Sequence, residues 1–134
     1  MTRKLALCFG LAVAAVCAWP AAAQSDVDSY YSKTFNDCMD QAGGSTMPMR
    51  DCQDAEFALW DKALNDVYKT LMASRPAAAK TQLRDEERAW LASTKKKCDH
   101  AGDGDAGGTA QNIEIQGCYL EETVRRTVYL RGLH

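Results

Sequence analysis

Four cysteines, Cys38, Cys52, Cys98 and Cys118, limit what this chain can fold into more than any other feature. Their meaning comes from what precedes them. A basic patch, Thr2-Arg3-Lys4, runs into an apolar stretch from Leu5 to Trp19 and then into Pro20-Ala21-Ala22-Ala23-Gln24. Basic, apolar and small-residue segments in that order read as a secretory signal peptide with a cut after Ala23. The apolar stretch falls short of the ~20 residues that a membrane-spanning helix needs. Cys8 and Cys17 would leave with this segment. They follow Leu7 and Val16, where a lipid-anchor signal wants a small residue, so no lipid anchor is expected. The other four thiols would mature in an oxidising place, periplasmic or secreted. An even count in a small exported chain implies two disulfides. A single soluble domain over residues 24–134 is expected, with a modest core that covalent cross-links supplement.

Hydrophobic periodicity fills in the fold. A first helix runs from about Asp26 to Ala42 and stops at Gly43-Gly44, which permit the left-handed turn that ends helices. A second starts after Ser45-Thr46, where a hydroxyl can cap free amides, and tolerates Pro48 in its first turn. Its stripe is Phe57, Trp60, Leu64, Val67 and Leu71, spaced as one helical face. Ser74 is expected to cap a third helix, which carries Leu83, Trp90 and Leu91 and ends at Lys95-Lys96-Lys97-Cys98. Cations there match the negative end of the helix dipole, so this run reads as a solvated terminus rather than an anion patch. A Gly- and Asp-rich loop from Asp99 to Gly108 follows. Thr109 is expected to cap a fourth helix with Ile113, Leu120, Val124 and Leu130 inward. No stretch alternates as a strand would. The expected fold is all-α: a small antiparallel bundle of about four helices with two disulfides and a loosely packed first helix.

The pairing of the cysteines follows from the turns. In an antiparallel helical hairpin, positions equally far from the turn face each other. Cys38 and Cys52 flank the 43–46 turn almost symmetrically. Cys98 closes the third helix, and the flexible loop can fold the fourth back to bring Cys118 to it. The expected bridges are Cys38–Cys52 and Cys98–Cys118. Each closes a short loop, for about 3 kcal/mol in the chain-entropy account.

Charge and side-chain inventory bear on function. Residues 24–66 carry nine acidic and three basic side chains, whereas 67–134 carry nine acidic and eleven basic. An acidic half suits neither nucleic acid nor an anionic membrane surface, and would suit a basic protein partner. Catalysis has little to stand on. His100 and His134 sit in no nucleophile–base pattern, the thiols would be oxidised, and Glu86-Glu87 and Glu121-Glu122 point apart on their helices. No enzyme activity and no cofactor are expected. Residues 103–114 partly match a calcium loop through Asp103, Asp105, Gly108 and Glu114. Gly107 stands where a ligand belongs and Ala110 where a branched apolar residue is usual, so a metal-free acidic loop is the preferred reading. Trp60 and Trp90 fall on apolar stripes and are expected in the core. Asp61, Asn65 and Tyr68 share a helical face beside the stripe of the second helix. They are expected to form a partly buried structural network, with Arg88 or Arg126 as partners.

The order of these residues resembles a known family. Cys52 precedes Asp61-x-x-Leu64-Asn65-x-x-Tyr68, then Glu87-Arg88-x-Trp90 leads to Cys98. Gly107-Gly108-Thr109, Cys118 and Thr123-x-x-Arg126-x-x-x-Leu130 follow. The pattern is similar to the LprI-type lysozyme-inhibitor domain of bacterial envelope proteins, and spans nearly all of residues 24–134. Glu87 stands where many members have Gln. The resemblance implies an exported, helical, disulfide-bonded domain that protects the cell wall by inhibiting a lysozyme, with the motif residues in structural roles. The loop 99–109 is the element expected to occlude the enzyme's cleft. The alternatives are an envelope interaction module with another protein partner, or a calcium-binding structural domain.

Overall fold

The computed structural model of the protein describes residues 26–133. The signal-peptide reading, with Cys8 and Cys17, and the terminal His134 lie outside them. The chain order is a 3-10 turn at Asp26–Tyr30, helix α1 at Lys33–Ala42, α2 at Thr46–Ser74 and α3 at Ala77–Cys98. A short 3-10 turn at Asp103–Asp105 and helix α4 at Ala110–Arg131 complete it. No strand occurs among the described residues. No described helix is long and apolar enough to cross a membrane.

The first expected helix is two elements. Ser32 breaks it: its hydroxyl accepts the Phe35 amide at 3.0 Å and caps α1. The buried Glu56 carboxylate on α2 binds Ser32 twice, from the amide at 2.9 Å and from the hydroxyl at 2.7 Å. Glu56 also accepts the Trp60 indole N–H at 3.0 Å. The 3-10 turn is thereby strapped to α2, and Val27 is driven into the core beside Leu120 and Val124. Helix α1 buries only Ala42 and packs on α2 alone, yet it is not the loose element expected: the Cys38–Cys52 bridge and the Ser32–Glu56 bonds tie it down, and it meets α2 more fully than α3 meets either neighbour. Gly43 ends it in the left-handed conformation, at φ 54°.

Three expected caps are corrected. Ser45 and Thr109 occupy N-cap positions without capping through their side chains. The Thr109 hydroxyl instead meets that of Thr46 at 3.3 Å, joining the 43–46 turn to the start of α4. Ser74 is the last residue of α2, its hydroxyl turned back to the Leu71 carbonyl, and Pro76 precedes α3. Proline supplies the fixed φ that lets a helix start without a capping side chain.

Consecutive helices α2, α3 and α4 alternate in direction, so α2 and α4 run parallel. Their contacts show it: Gln53 reaches the Ile113 carbonyl at one end, and Arg75 reaches the Leu133 carbonyl at the other. The main interface is α2 on α4, while α2 and α3 touch each other least. Leu64, Leu71, Leu83 and Leu130 form one buried cluster near the α2–α3 connection. Phe57 and Trp60 pack against the other cluster, and Val67, Tyr68 and Trp90 against the first, so the expected apolar stripe and both tryptophans do serve the core. Leu91 does not: it is 55% exposed. Gly117 allows the close α2–α4 approach, because a Cβ there would lie 3.1 Å from the Gln53 side-chain nitrogen.

Candidate functional site

The polar network that fixes helix register is not built on Asp61. It lies between α3 and α4. Arg126 donates from Nε to the Glu87 carboxylate at 2.8 Å, and its Nη2 is 2.8 Å from the same oxygen. The two side chains are 11% and 12% exposed. The Arg126 guanidinium also lies over the rings of Trp90 at 5.7 Å and Tyr129 at 5.0 Å. A planar cation between two aromatic faces, held by a carboxylate, is a geometry that arginine satisfies and lysine does not. Beside it Thr123 and Thr127 turn their hydroxyls to carbonyls of their own helix, at 2.8 and 2.7 Å, and Leu130 is fully buried.

Arg88, the other candidate partner, is exposed and pairs loosely with Asp85 at 3.7 Å. Asp61 and Asn65 are exposed and Tyr68 is half-buried. Asn65 donates to the backbone carbonyl of Asp61 at 2.8 Å, not to its carboxylate. The sequence placed these residues correctly on one face, but the face opens onto a groove. The groove, of about 520 Å³, separates α2 from α3 where the two helices diverge. Phe57, Asp61, Leu64, Asn65 and Tyr68 line one wall; Arg84, Glu87, Arg88, Trp90 and Leu91 line the other; Tyr119 and Thr123 of α4 form the floor. Asp61→Ala is therefore expected to leave thermal stability nearly unchanged, within about 0.5 kcal/mol, as an exposed side chain should. A melting curve checks this, and a loss several times larger would return Asp61 to a structural role.

The second site is the end of the molecule that carries the 43–46 turn and the 99–109 loop. Both disulfides stand there. Cys38–Cys52 joins α1 to α2 and Cys98–Cys118 joins α3 to α4, with Cα separations of 5.9 and 5.4 Å. These are the pairs expected from the turns. The loop is exposed except for Gly102. A Cβ at Gly102 would come within 2.7 Å of Gln111, so only glycine lets the loop lie this close to α4. Gly107, at φ 81°, makes the final turn. Tyr119 donates to Asp99 at 2.7 Å and Lys95 pairs with the same carboxylate. Those two contacts, Lys95 first, hold Asp99 below the usual carboxylate range. Lys97 crosses to Glu122 at 2.6 Å, so the lysine run is largely spent on local pairs.

The calcium-type residues do not converge. Asp103 faces His100 at 2.9 Å, and Glu114 lines a separate cleft. Among the described residues no group of three or more His, Cys, Asp or Glu side chains is placed to hold a metal ion. What this end offers is negative charge on a rigid frame. Asp37 and Asp51 flank the first disulfide in a shallow pocket. Asp40, Asp54, Asp103 and Asp105 are exposed as well, with Asp37 paired to Lys33 and Asp54 to Arg50.

Sequence reasoning missed Ser32, Glu56 and Gln53. The Glu56–Trp60 spacing of four was a visible signal for one of these bonds. Nothing local marks Gln53, whose burial depends on Gly117 of a distant helix.

A family model described as "Lysozyme inhibitor LprI" matches residues 38–130, from the first bridged cysteine to the buried Leu130. An uncharacterized protein of Rhizobium meliloti (strain 1021) is 28% identical over 102 residues, with 66% of this chain and 73% of that protein covered. No solved structure matches the chain.

Proposed function

The chain belongs to the LprI family of lysozyme inhibitors, and from that premise we propose that it is an exported, single-domain binding protein that blocks a lysozyme-like hydrolase of the cell wall. Residues 1–23 act in this reading as its signal peptide, and residue 24 onward works in the periplasm or outside the cell. The family match across both disulfides carries the reading. The acidic, stapled end is the surface that supports it. Lysozymes of the animal type are generally basic and work through two carboxyls in a cleft. The acidic frame steers the inhibitor onto the basic body, and the exposed 99–109 loop covers the cleft.

Inhibition is accordingly expected to weaken as salt rises, mainly through the association rate. Mobile ions screen such attraction beyond ~8 Å at physiological ionic strength, while contacts formed after docking are screened less. Charge reversal at Asp51 and Asp54 should slow association in the same way as high salt. Association kinetics with a basic lysozyme at low and high salt check this. No binding at micromolar protein and low salt removes that enzyme as the target. Tight binding with a salt-independent on-rate keeps the inhibitor and rejects the steering.

The groove beside Asp61 favours a second reading, an interaction module for another envelope protein. Its aromatic walls and opposed Asp61 and Arg88 fit an extended peptide better than a globular cleft. Loss of partner binding in Asp61→Ala, with lysozyme inhibition intact, would select it.

A further inference from the structure

A cleft of about 460 Å³ adjoins the loop end, reaching the loop at Ala101. Asp28, Glu114 and Glu121 bring three carboxylates to it from the 3-10 turn and from α4. Glu121 is shared with Arg125 at 2.8 Å, and Lys97 on the rim is committed to Glu122. One side is aromatic: the rings of Tyr31 and Phe35 lie 4.8 Å apart and tilted. The negative field is felt there. Burial first, then the charges of Glu121, Asp28 and Glu56, push the Tyr31 hydroxyl up to about 12.

A second observation points to a missing donor. Gln53 lines the cleft and is 7% exposed. Its nitrogen donates to the Ile113 carbonyl at 3.3 Å, and its oxygen has no hydrogen-bond partner among the described residues. A buried acceptor without a donor is uncommon and asks for one from outside.

We propose that this cleft receives a single arginine side chain of the basic protein that the inhibitor binds. The proposal rests on the reading of the protein as a binder of a basic partner. Arginine answers each feature. Its five N–H groups can serve the Gln53 oxygen and the rim carboxylates together. Its planar head stacks on the Tyr31 ring, and its aliphatic stem lies along Phe35 and Ile113. Lysine brings the charge but neither the plane nor the fork.

The test uses the full chain with N-acetyl-arginine amide as probe, followed by magnetic-resonance shifts of the Gln53 side-chain amide and the Gly117 backbone amide. Saturable shifts confined to the cleft are expected, with affinity in the millimolar range that so small a ligand allows. N-acetyl-lysine amide should bind roughly tenfold more weakly, since it loses the second hydrogen bond of the fork. Asp28→Asn with Glu121→Gln should weaken the arginine probe by a similar factor, and as a surface pair they spare the fold; Gln53→Met checks the buried acceptor. No saturation by on the order of 50 mM probe overturns the site. So does equal binding of the lysine probe, or indifference to the Asp28/Glu121 pair. The outcome is separable from the inhibitor reading. A cleft that binds the probe while no lysozyme binds the protein keeps the site and removes the inhibitor. Inhibition unchanged by the Asp28/Glu121 pair does the reverse.

Discussion

Glu87→Ala is expected to destabilise the protein by about 3–5 kcal/mol, because it leaves the Arg126 charge buried without its counter-ion. The guanidinium is 11% exposed and lies over the rings of Trp90 and Tyr129, so it relies on this carboxylate for its counter-charge. For a domain of this size that loss corresponds to a fall in melting temperature on the order of 12 °C or more. Glu87→Gln keeps an oxygen for the Arg126 N–H and loses only the charge, so its fall should be intermediate. The double replacement Glu87→Met with Arg126→Met removes both charges and should be closer to the parent than Glu87→Ala alone. Thermal melts of the three variants decide the matter. A Glu87→Ala protein that melts within roughly 3 °C of the parent would mean that Arg126 finds another partner at little cost.

Cys98→Ala with Cys118→Ala is expected to cost about 3 kcal/mol from chain entropy alone, for a loop with sequence separation 20. The cost should exceed that of removing Cys38–Cys52, whose loop is shorter at 14 residues. Burial does not separate the two bridges, because each joins one buried cysteine, Cys98 or Cys52, to one half-buried cysteine, Cys118 or Cys38. The two deletions should also differ in place. Without Cys98–Cys118 the 99–109 loop is held by Tyr119–Asp99 and Thr46–Thr109, both exposed contacts. Denaturant unfolding of the two double variants measures the first effect, and amide exchange at Gly102 and Gly107 the second. Equal stabilities with an unchanged loop would show that the side-chain contacts alone set its position.

The parts of this fold that were legible in the sequence are those governed by neighbours along the chain. The α2 stripe from Phe57 to Leu71 needs only helical spacing. Gly43 needs only its freedom at positive φ, and the cysteine pairs follow from distance to a turn. What escaped depends on register between separate helices. Asp61 sits beside an apolar stripe and so looked buried, yet α2 and α3 diverge there and the position faces a groove. Arg126 needed a partner, but choosing Glu87 over Asp61 required the antiparallel offset of α3 on α4. Caps failed for a related reason. Ser45, Ser74 and Thr109 have the right chemistry, but the actual cap, Ser32, was selected by Glu56 from another helix. Of the candidate site, the loop and its acidic surroundings were visible in composition, while the Gln53 cleft was not, because Gly117 creates it.

Both covalent bridges stand at one end of the bundle, and the other end closes through non-covalent contacts, the leucine cluster with its neighbours Val67, Tyr68 and Trp90 and the Arg75–Leu133 contact. Stress on the molecule is therefore not shared evenly. Heat, pulling or a protease finds the hinge between α2 and α3 first, and the helices part there like the open arms of a clothes-peg whose spring is intact. The acidic face and its loop keep their shape in that half-open form. The acidic face is then the last portion of the fold to be lost.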